Sequence, residues 1–340
     1  MARALHFAAW TLACALVVVP SERTRAQDDA EPPATGRVLS IATLAPPGSA
    51  MVRGLEAWNR ELRRRSGGAL SLRLYTGGVQ GDDPEVVRKI RSGRLDGGTI
   101  TATGLASIHR PALVFQLPGL FQTYEQLDAA RAALGPEIDR GIESAGFHML
   151  GWADVGHARL FSTEPARAPA DLRGRHVWVR DDDLVLPSFA TRSGAIPVEL
   201  GVPEVLGALS THRVDTFLAP PLVALALQWT SHVRYVNEIP MSIVVGGTVM
   251  SHEAYAALPD DQRALLDETG AQFHLLGRRA SRRHEREGID ALADHGITVV
   301  ETNYAAIEGW RDLGRALRAD VAAQIASPDL VARAAAFGER

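Results

Sequence analysis

The stretch from Asp171 to Pro221, DLRGRHVWVRDDDLVLPSFATRSGAIPVELGVPEVLGALSTHRVDTFLAPP, constrains the fold more than any other part of the chain. A turn at Asp171–Gly174 leads into a short strand, Arg175 to Arg180. An acidic corner, Asp181-Asp182-Asp183, precedes a helix that runs to about Arg192. A second strand holds Ile196 and Val198, Pro203 opens another helix, and Val214 to Leu218 form a third strand ending at Ala219-Pro220-Pro221. Strand, helix, strand, helix, strand is a doubly wound α/β pattern. Ligands of such sheets sit beyond the carboxyl ends of the strands. Trp178, Arg180 and Ala219 are therefore expected at the rim of a cleft.

On a strand of period 2, His176, Trp178 and Arg180 share one face, and Val177 and Val179 share the other. The valines are expected to face the core, which leaves Trp178 and Arg180 for the cleft. The plainer alternative packs Trp178 under a helix, where most aromatic side chains go.

The rest of the chain repeats the same grammar. Val38–Ile41 is a strand, and Ala45-Pro46-Pro47-Gly48-Ser49 a rigid loop. Val52, Leu55, Trp58 and Leu62 keep helical spacing up to Ser66-Gly67-Gly68. Leu70, Leu72 and Leu74 alternate as a strand. After the glycine-containing loop Thr76–Gly81, Asp83 is placed as an N-cap and Pro84 as the first helical residue. Leu95–Thr101 is a strand leading into Thr101-Ala102-Thr103-Gly104. Phe115–Phe121 reads as an apolar loop, followed by two helices near Tyr124–Ala133 and Pro136–Ser144. Phe147–Trp152 is a strand that continues as an extended crossing to Phe161. Leu222–Trp229 reads as a helix, Val233–Val236 as a strand, and Ser242–Met250 as a return crossing. Pro259 and Asp260 start a long helix reaching about Asp294, followed by a strand at Ile297–Val300 and an alanine-rich helical end, Tyr304–Phe337.

Leu70–Asp96 and Ala195–Asp215 share an order: strand, loop, Pro-initiated helix, then Gly93-Arg94-Leu95-Asp96 or His212-Arg213-Val214-Asp215. The order is that of two similar α/β lobes, although βαβ units are common enough to recur by chance. Two extended crossings between lobes imply a hinge and closure around a ligand. The expected organisation is a segment 1–26 that is removed, a first lobe of 36–155 with 244–283, and a second lobe of 156–243 with 284–340.

The address is extracytoplasmic. Arg3, the apolar run Leu5–Val19, Pro20 and the small-residue site Thr24-Arg25-Ala26 have the form of a secretory signal. The alternative of an uncleaved anchor requires about 20 apolar residues. The single cysteine, Cys14, lies inside this segment. A lipid-attachment role for it is poorly matched by Thr11-Leu12-Ala13. The processed chain then carries no disulfide, thiolate or cysteine metal site. Net charge is −4 for the 340 residues and −6 without residues 1–26. An acidic chain argues against a nucleic-acid partner. No later segment is long and apolar enough to span a bilayer.

Catalytic signatures are missing. The sequence holds no Walker loop, dinucleotide fingerprint, Gly-x-Ser-x-Gly elbow or His-Glu-x-x-His pattern. Asp181–Asp183 offers one local group of oxygen ligands for a hard cation, but such a cluster more often caps a helix. No metal or cofactor is expected, and the chain is not read as an enzyme.

Leu44-Ala45-Pro46-Pro47-Gly48-Ser49, Gly77-Gly78-Val79-Gln80-Gly81-Asp82, Asp171-Leu172-Arg173-Gly174, Ser193-Gly194-Ala195-Ile196-Pro197-Val198, Pro203-Glu204-Val205 and Val214-Asp215 occur in an order and spacing that carry a resemblance. The chain resembles the solute receptors of tripartite ATP-independent periplasmic (TRAP) transporters, of the dicarboxylate-receptor type. The resemblance covers nearly all of the chain after the leader. It implies two α/β lobes, a hinged cleft, a long helix spanning both lobes, no catalysis, and transfer of a captured solute to membrane subunits. It also implies an arginine on the strand after the Asp-Leu-x-Gly turn that holds an organic acid, assisted by an Asn near the end of the Val-Asp strand.

Trp178 stands at the arginine position and Ala219 at the Asn position. A charge-assisted hydrogen bond contributes roughly 1.5–3 kcal/mol, about one to two powers of ten in affinity. Trp offers one N–H and an apolar face but no charge. With apolar neighbours at Phe217–Leu222 and Phe115–Pro118, the cleft is expected to take an apolar or weakly polar solute. The alternative is an organic acid held by Arg180, about 6.6 Å further along the strand; another is a stand-alone sensing protein with no transporter. The expected lining is Pro46, Gln80, Thr101, Thr103, Gln116, Trp178, Arg180, Ala219 and Pro220.

Overall fold

The computed structural model describes residues 36–180 and 183–338. The expected signal segment, Cys14, and Asp181 and Asp182 of the acidic corner lie outside the described residues. The first half runs β1 (Arg37–Thr43), α1 (Ala50–Arg65), β2 (Leu70–Tyr75), α2 (Asp83–Arg91), β3 (Gly97–Thr101), α3 (Ala102–Ile108), α4 (Tyr124–Ser144) and β4 (Phe147–Ser162). The middle holds β5 (His176–Val179), α5 (Leu186–Ser193), β6 (Ile196–Glu199), α6 (Val205–Ser210), β7 (Thr216–Ala219), α7 (Pro221–Ala226), β8 (Tyr235–Asn237) and β9 (Ser242–Ser251). The chain ends with α8 (His252–Ala256), α9 (Asp260–Asp294), β10 (Thr298–Val300), α10 (Tyr304–Ile325) and α11 (Pro328–Gly338).

The strands join in the order β2-β1-β3-β9-β4-β7-β5-β6, with β8 on β4 and β10 on β8. β1 is parallel to β2 and β3, and β5 is parallel to β6 and β7. Between these parallel sets stand the antiparallel crossing strands β9 and β4. β4 pairs with β9 over Phe147–Ala158 and with β7 over Arg159–Ser162, so one strand serves both half-sheets. Its register shifts at Met149/Gly151 and Asp154/Gly156. Gly151 and Gly156 have φ of +152° and +133° there. An extra residue bends a strand and raises its twist, which lets β4 leave one half-sheet and enter the other.

Each half-sheet is covered on both faces, as parallel strands require. In the first lobe, α2, α3 and α4 cover one face around Ile100, Phe115 and Leu127. On the opposite face, α1 and α9 cover Leu39, Leu72 and Met250. In the second lobe Phe161, Trp178, Phe217 and Trp229 fill one side, and Val177, Val179, Phe189 and Trp310 the other. Helix α9 touches both lobes. Phe273 stacks on Trp58 at 5.1 Å, while Leu292 lies in the second lobe's core. Leu330 and Ala334 of α11 pack in the first lobe's core.

Two expectations about helices change. The separate helices near Tyr124 and Pro136 are one helix, α4, with Pro136 inside it. Its buried positions Leu127, Ala130, Leu134, Ile138 and Ile142 keep one stripe across the proline, so packing outweighs the lost backbone bond. The apolar loop expected at Phe115 begins instead within a 3-10 helix, Arg110–Gln116, that buries Phe115 completely.

Charged groups gather where β4 crosses. Asp154, 2% exposed, accepts from Arg131 Nη2 at 2.5 Å and Arg282 Nε at 2.8 Å. Arg282 also holds Asp128 of α4 through two 2.7 Å bonds. Glu285 accepts from Tyr124 at 2.7 Å and lies 2.7 Å from His157 Nδ1. Helices α4 and α9 are thereby tied to the bulged strand.

Candidate functional site

The carboxyl ends of β1, β2 and β3 face those of β5, β6 and β7, and the loops beyond them meet in a seam. Leu44, just past β1, packs on the second lobe's core. Leu184 and Val185, before α5, pack on the first lobe's core. A Cβ on Gly78 would lie 3.2 Å from Pro203, so the first lobe's glycine loop closely approaches the second.

The polar heart of the seam is Arg180. It is 5% exposed, and its Nη2 donates to Asp82 Oδ1 at 2.9 Å and lies 3.6 Å from Asp83 Oδ2. Asp82 Oδ2 accepts from the backbone N–H of Val202 at 2.7 Å, and Asp82 Oδ1 from that of Asp83 at 2.7 Å. Asp82, rather than Asp83, is the N-cap of α2, and Asp83 is its first helical residue. The reason is local: Asp82 is extended (φ −75°, ψ 170°), which aims its oxygen back at the helix's free N–H groups. Asp83 turns inward and is 1% exposed; its Oδ2 accepts from Thr101 N at 3.0 Å and Thr101 Oγ1 at 2.5 Å. Burial pushes the Asp83 carboxyl above the usual range, and the Arg180 charge opposes this. A cation and two carboxylates from opposite lobes thus share one nearly dry seam.

Of the nine residues expected to line the cleft, the structure brings Arg180 and Thr101 into this cluster. Trp178 lies inside the second lobe's core. It is 5% exposed, its Nε1 donates to the Leu200 carbonyl at 2.9 Å, and its ring meets Trp229 edge-on at 5.1 Å. The face opposite the valines is therefore core as well, because both faces of β5 are covered. Ala219 is buried opposite Arg159 of β4, and Pro220 sits against Gly156 at the bulge. Gln80 is turned to its own lobe: its Oε1 and carbonyl both accept from Lys89 Nζ. Gln116 Oε1 accepts from Val245 N at 3.0 Å on the crossing strand β9. Thr103 is buried in the first turn of α3, and Pro46 is half-buried in the loop after β1. Asp82, Asp83 and the Val202 N–H were not among the expected lining; Gly81-Asp82 was legible as the end of a glycine-loop motif and Asp83-Pro84 as a helix start.

An open surface depression of about 610 Å³ lies elsewhere, lined by His176, Pro197, Val198, Glu199, His212 and Arg213 at the outer edge of the second half-sheet. It is shallow and holds none of the seam side chains. Among the described residues, no group of three or more His, Cys, Asp or Glu could hold a metal ion.

The model of the bacterial extracellular solute-binding protein family 7, DctP, matches residues 41–324. The chain belongs to this family. As a family-7 protein it is a solute-binding receptor of the TRAP class and not an enzyme. It is 23% identical over 269 residues to a solute-binding protein of Albidiferax ferrireducens, covering 75% of this chain and 76% of that one. It is 21% identical over 265 residues to the 2,3-diketo-L-gulonate-binding periplasmic protein of Escherichia coli, covering 72% and 74%. Among solved structures, the fold is shared with a TRAP solute-binding protein of Shewanella oneidensis with bound succinate (TM-score 0.83, 17% identity, 89% of this chain and 99% of that one). It is also shared with a sugar acid binding protein of Advenella mimigardefordensis in complex with galactonate (TM-score 0.84, 18% identity, 89% and 98%). The two-lobed α/β fold of this family-7 protein is thus that of known receptors.

Proposed function

We propose that this chain is the periplasmic solute receptor of a TRAP-type transporter, and that its solute is a small hydroxylated carboxylic acid held between the lobes and delivered to separate membrane subunits. The observation that carries the solute class is Arg180, a cation buried between lobes beside two carboxylates. An arginine supplies bidentate recognition of a carboxylate, and Asp82 and Asp83 supply acceptors for hydroxyl groups. Relatives of the same fold with bound succinate and galactonate support the class. Delivery to a membrane partner is supported by the family. Among the described residues no helix is long and apolar enough to cross a membrane. The signal-like residues 1–26 support the periplasmic address.

A second reading, an apolar solute, is favoured by the aromatic set Phe161, Phe217, Trp229 and Trp178 and by Ala219 in place of Asn. It is weaker because the Trp178 N–H is spent on Leu200 and its ring on Trp229. Native mass spectrometry of protein purified from a periplasm, followed by a thermal-shift panel, separates the two. Solute at 100 times its Kd stabilises by about 2.7 kcal/mol. A co-purifying acid whose effect vanishes in Arg180→Gln supports the first reading. A neutral apolar molecule bound equally by that variant replaces it with the second. Neighbouring genes for transporter membrane subunits distinguish transport from stand-alone sensing.

A further inference from the structure

We infer that the outer face of α9 is a self-association surface, on which two copies of this chain pair antiparallel along Asp261–Arg286 with Leu275 and Leu276 near the middle of the contact. The inner face of α9 is spent within the chain on Leu266, His274 and Leu292, and Arg282 is spent on Asp128 and Asp154. At about 100° per residue, Asp261, Ala264, Glu268, Leu275, Arg279 and Arg286 fall within about 60° of one another on the opposite, exposed side. Leu275 and Leu276, 41% and 54% exposed, are the only exposed leucines among the described residues. The pairing is independent of which solute the receptor binds.

Charge says what covers this face. Its first half carries Asp261 and Glu268, and its second half Arg279 and Arg286. Each pair is seven residues apart, about 10.5 Å along the axis. Antiparallel pairing therefore sets Asp261 opposite the partner's Arg286 and Glu268 opposite the partner's Arg279 in a single register. The twofold axis repeats both contacts. In the same register Ala264 meets the partner's Arg283, and Ala271 and Gln272 meet the partner's Leu276 and the partner's Leu275, so small or slender side chains face bulky ones. Among the described residues Asp261, Arg279, Arg283 and Arg286 make no ion pair within the chain, although His284 between them does. Arg283 lies four residues after Arg279 and three before Arg286, a like-charge spacing that disfavours a helix on its own. Glu268 is held by Arg65 through exposed bonds of 2.9 and 2.7 Å. Arg65, Asp261, Ala264 and Glu268 line a depression of about 380 Å³ beside α9, which gives the incoming arginines room. A narrow contact of this charged kind is weak and salt-dependent.

The test is sedimentation of the processed protein at up to about 1 mM, where a millimolar Kd is still visible. It is run in about 0.01 M and about 1 M salt, between which the Debye length falls from about 30 to about 3 Å. Wild type should dimerise in low salt, with a Kd that rises about tenfold or more in high salt. Arg279→Glu with Arg286→Glu, and separately Asp261→Lys with Glu268→Lys, should each be monomeric, because each face then carries one sign. All four positions are exposed, so folding is kept and is checked by the unfolding midpoint. An equimolar mixture of the two double variants should form a heterodimer, since each face then meets its opposite. A wild type that stays monomeric in low salt overturns the inference. So does a dimer that either double variant leaves intact, or a mixture of the two that stays monomeric.

Discussion

Arg282 of α9 reaches Asp154 of the crossing strand β4 at 2.8 Å, and the same guanidinium clasps Asp128 of α4. Asp154 is 2% exposed and also accepts from Arg131, so it is the buried carboxylate that two cations share, with the more exposed Asp128 as the second anion of the cluster. Removing one partner of a buried ion pair costs about 3–5 kcal/mol, because the remaining charge is stranded. Asp154→Ala should lower stability by that order in urea denaturation. A loss below about 1 kcal/mol, typical of an exposed pair, would mean that water already screens this cluster.

Trp178 gives a prediction of a different kind. Truncating a buried tryptophan costs about 3–5 kcal/mol. Trp178→Ala should therefore act first on stability. Trp178→Phe keeps a ring against Trp229 but leaves the Leu200 carbonyl without its donor, at a cost of about 1–3 kcal/mol. If Trp178→Phe unfolds like wild type yet binds solute poorly, the side chain belongs to the solute site after all.

His274 makes stability depend on pH. Burial, with the nearby charges of Arg278 and Arg131, pushes its imidazole from 6.5 down to about 3, against the opposing pull of a backbone hydrogen bond to Trp152. The folded state keeps the ring neutral, while the unfolded chain protonates it below about 6.5. The unfolded state thus binds more protons, and stability present above pH 6.5 is lost progressively as pH falls toward 3. His274→Gln should flatten this acid limb. Denaturation series at pH 7 and pH 5 for both proteins measure it, and parallel losses would exclude His274 as the cause.

Two glycines should respond oppositely to alanine. A Cβ on Gly151 would lie 2.5 Å from His274 Cδ2, at a bulge with φ of +152°. Gly151→Ala should destabilise by about 1–3 kcal/mol. Gly207 lies in α6 with nothing within 4 Å of such a Cβ. Gly207→Ala should stabilise by about 0.5–1 kcal/mol. Thermal unfolding of the pair is the check; a stable Gly151→Ala would show that the His274 ring can move aside.

The seam shows where sequence reading stops. Asp171–Pro221 declared its βαβαβ order because turns, caps and hydrophobic period are local properties, and α9 was legible from Pro259 to Asp294 for the same reason. The direction of Trp178 was not. Period 2 says that it opposes Val177 and Val179, but whether that face meets solvent, solute or core depends on α6 and on Trp229, 51 positions later in the chain. The pairing of Arg180 with Asp82 was equally hidden, because Arg180 sits beside its own acidic corner and 98 positions from the carboxylate it reaches.

The sequence by itself determined the alternation of strands and helices, the two crossings and the family to which the chain belongs, since each is written in neighbouring residues or in the order of short motifs. Only the tertiary structure decided that the tryptophan is a core residue and that the arginine bridges the lobes. Burial and ion pairing are set by which distant surfaces meet, and a charge taken out of water must find its partner wherever the fold brings one within about 3 Å.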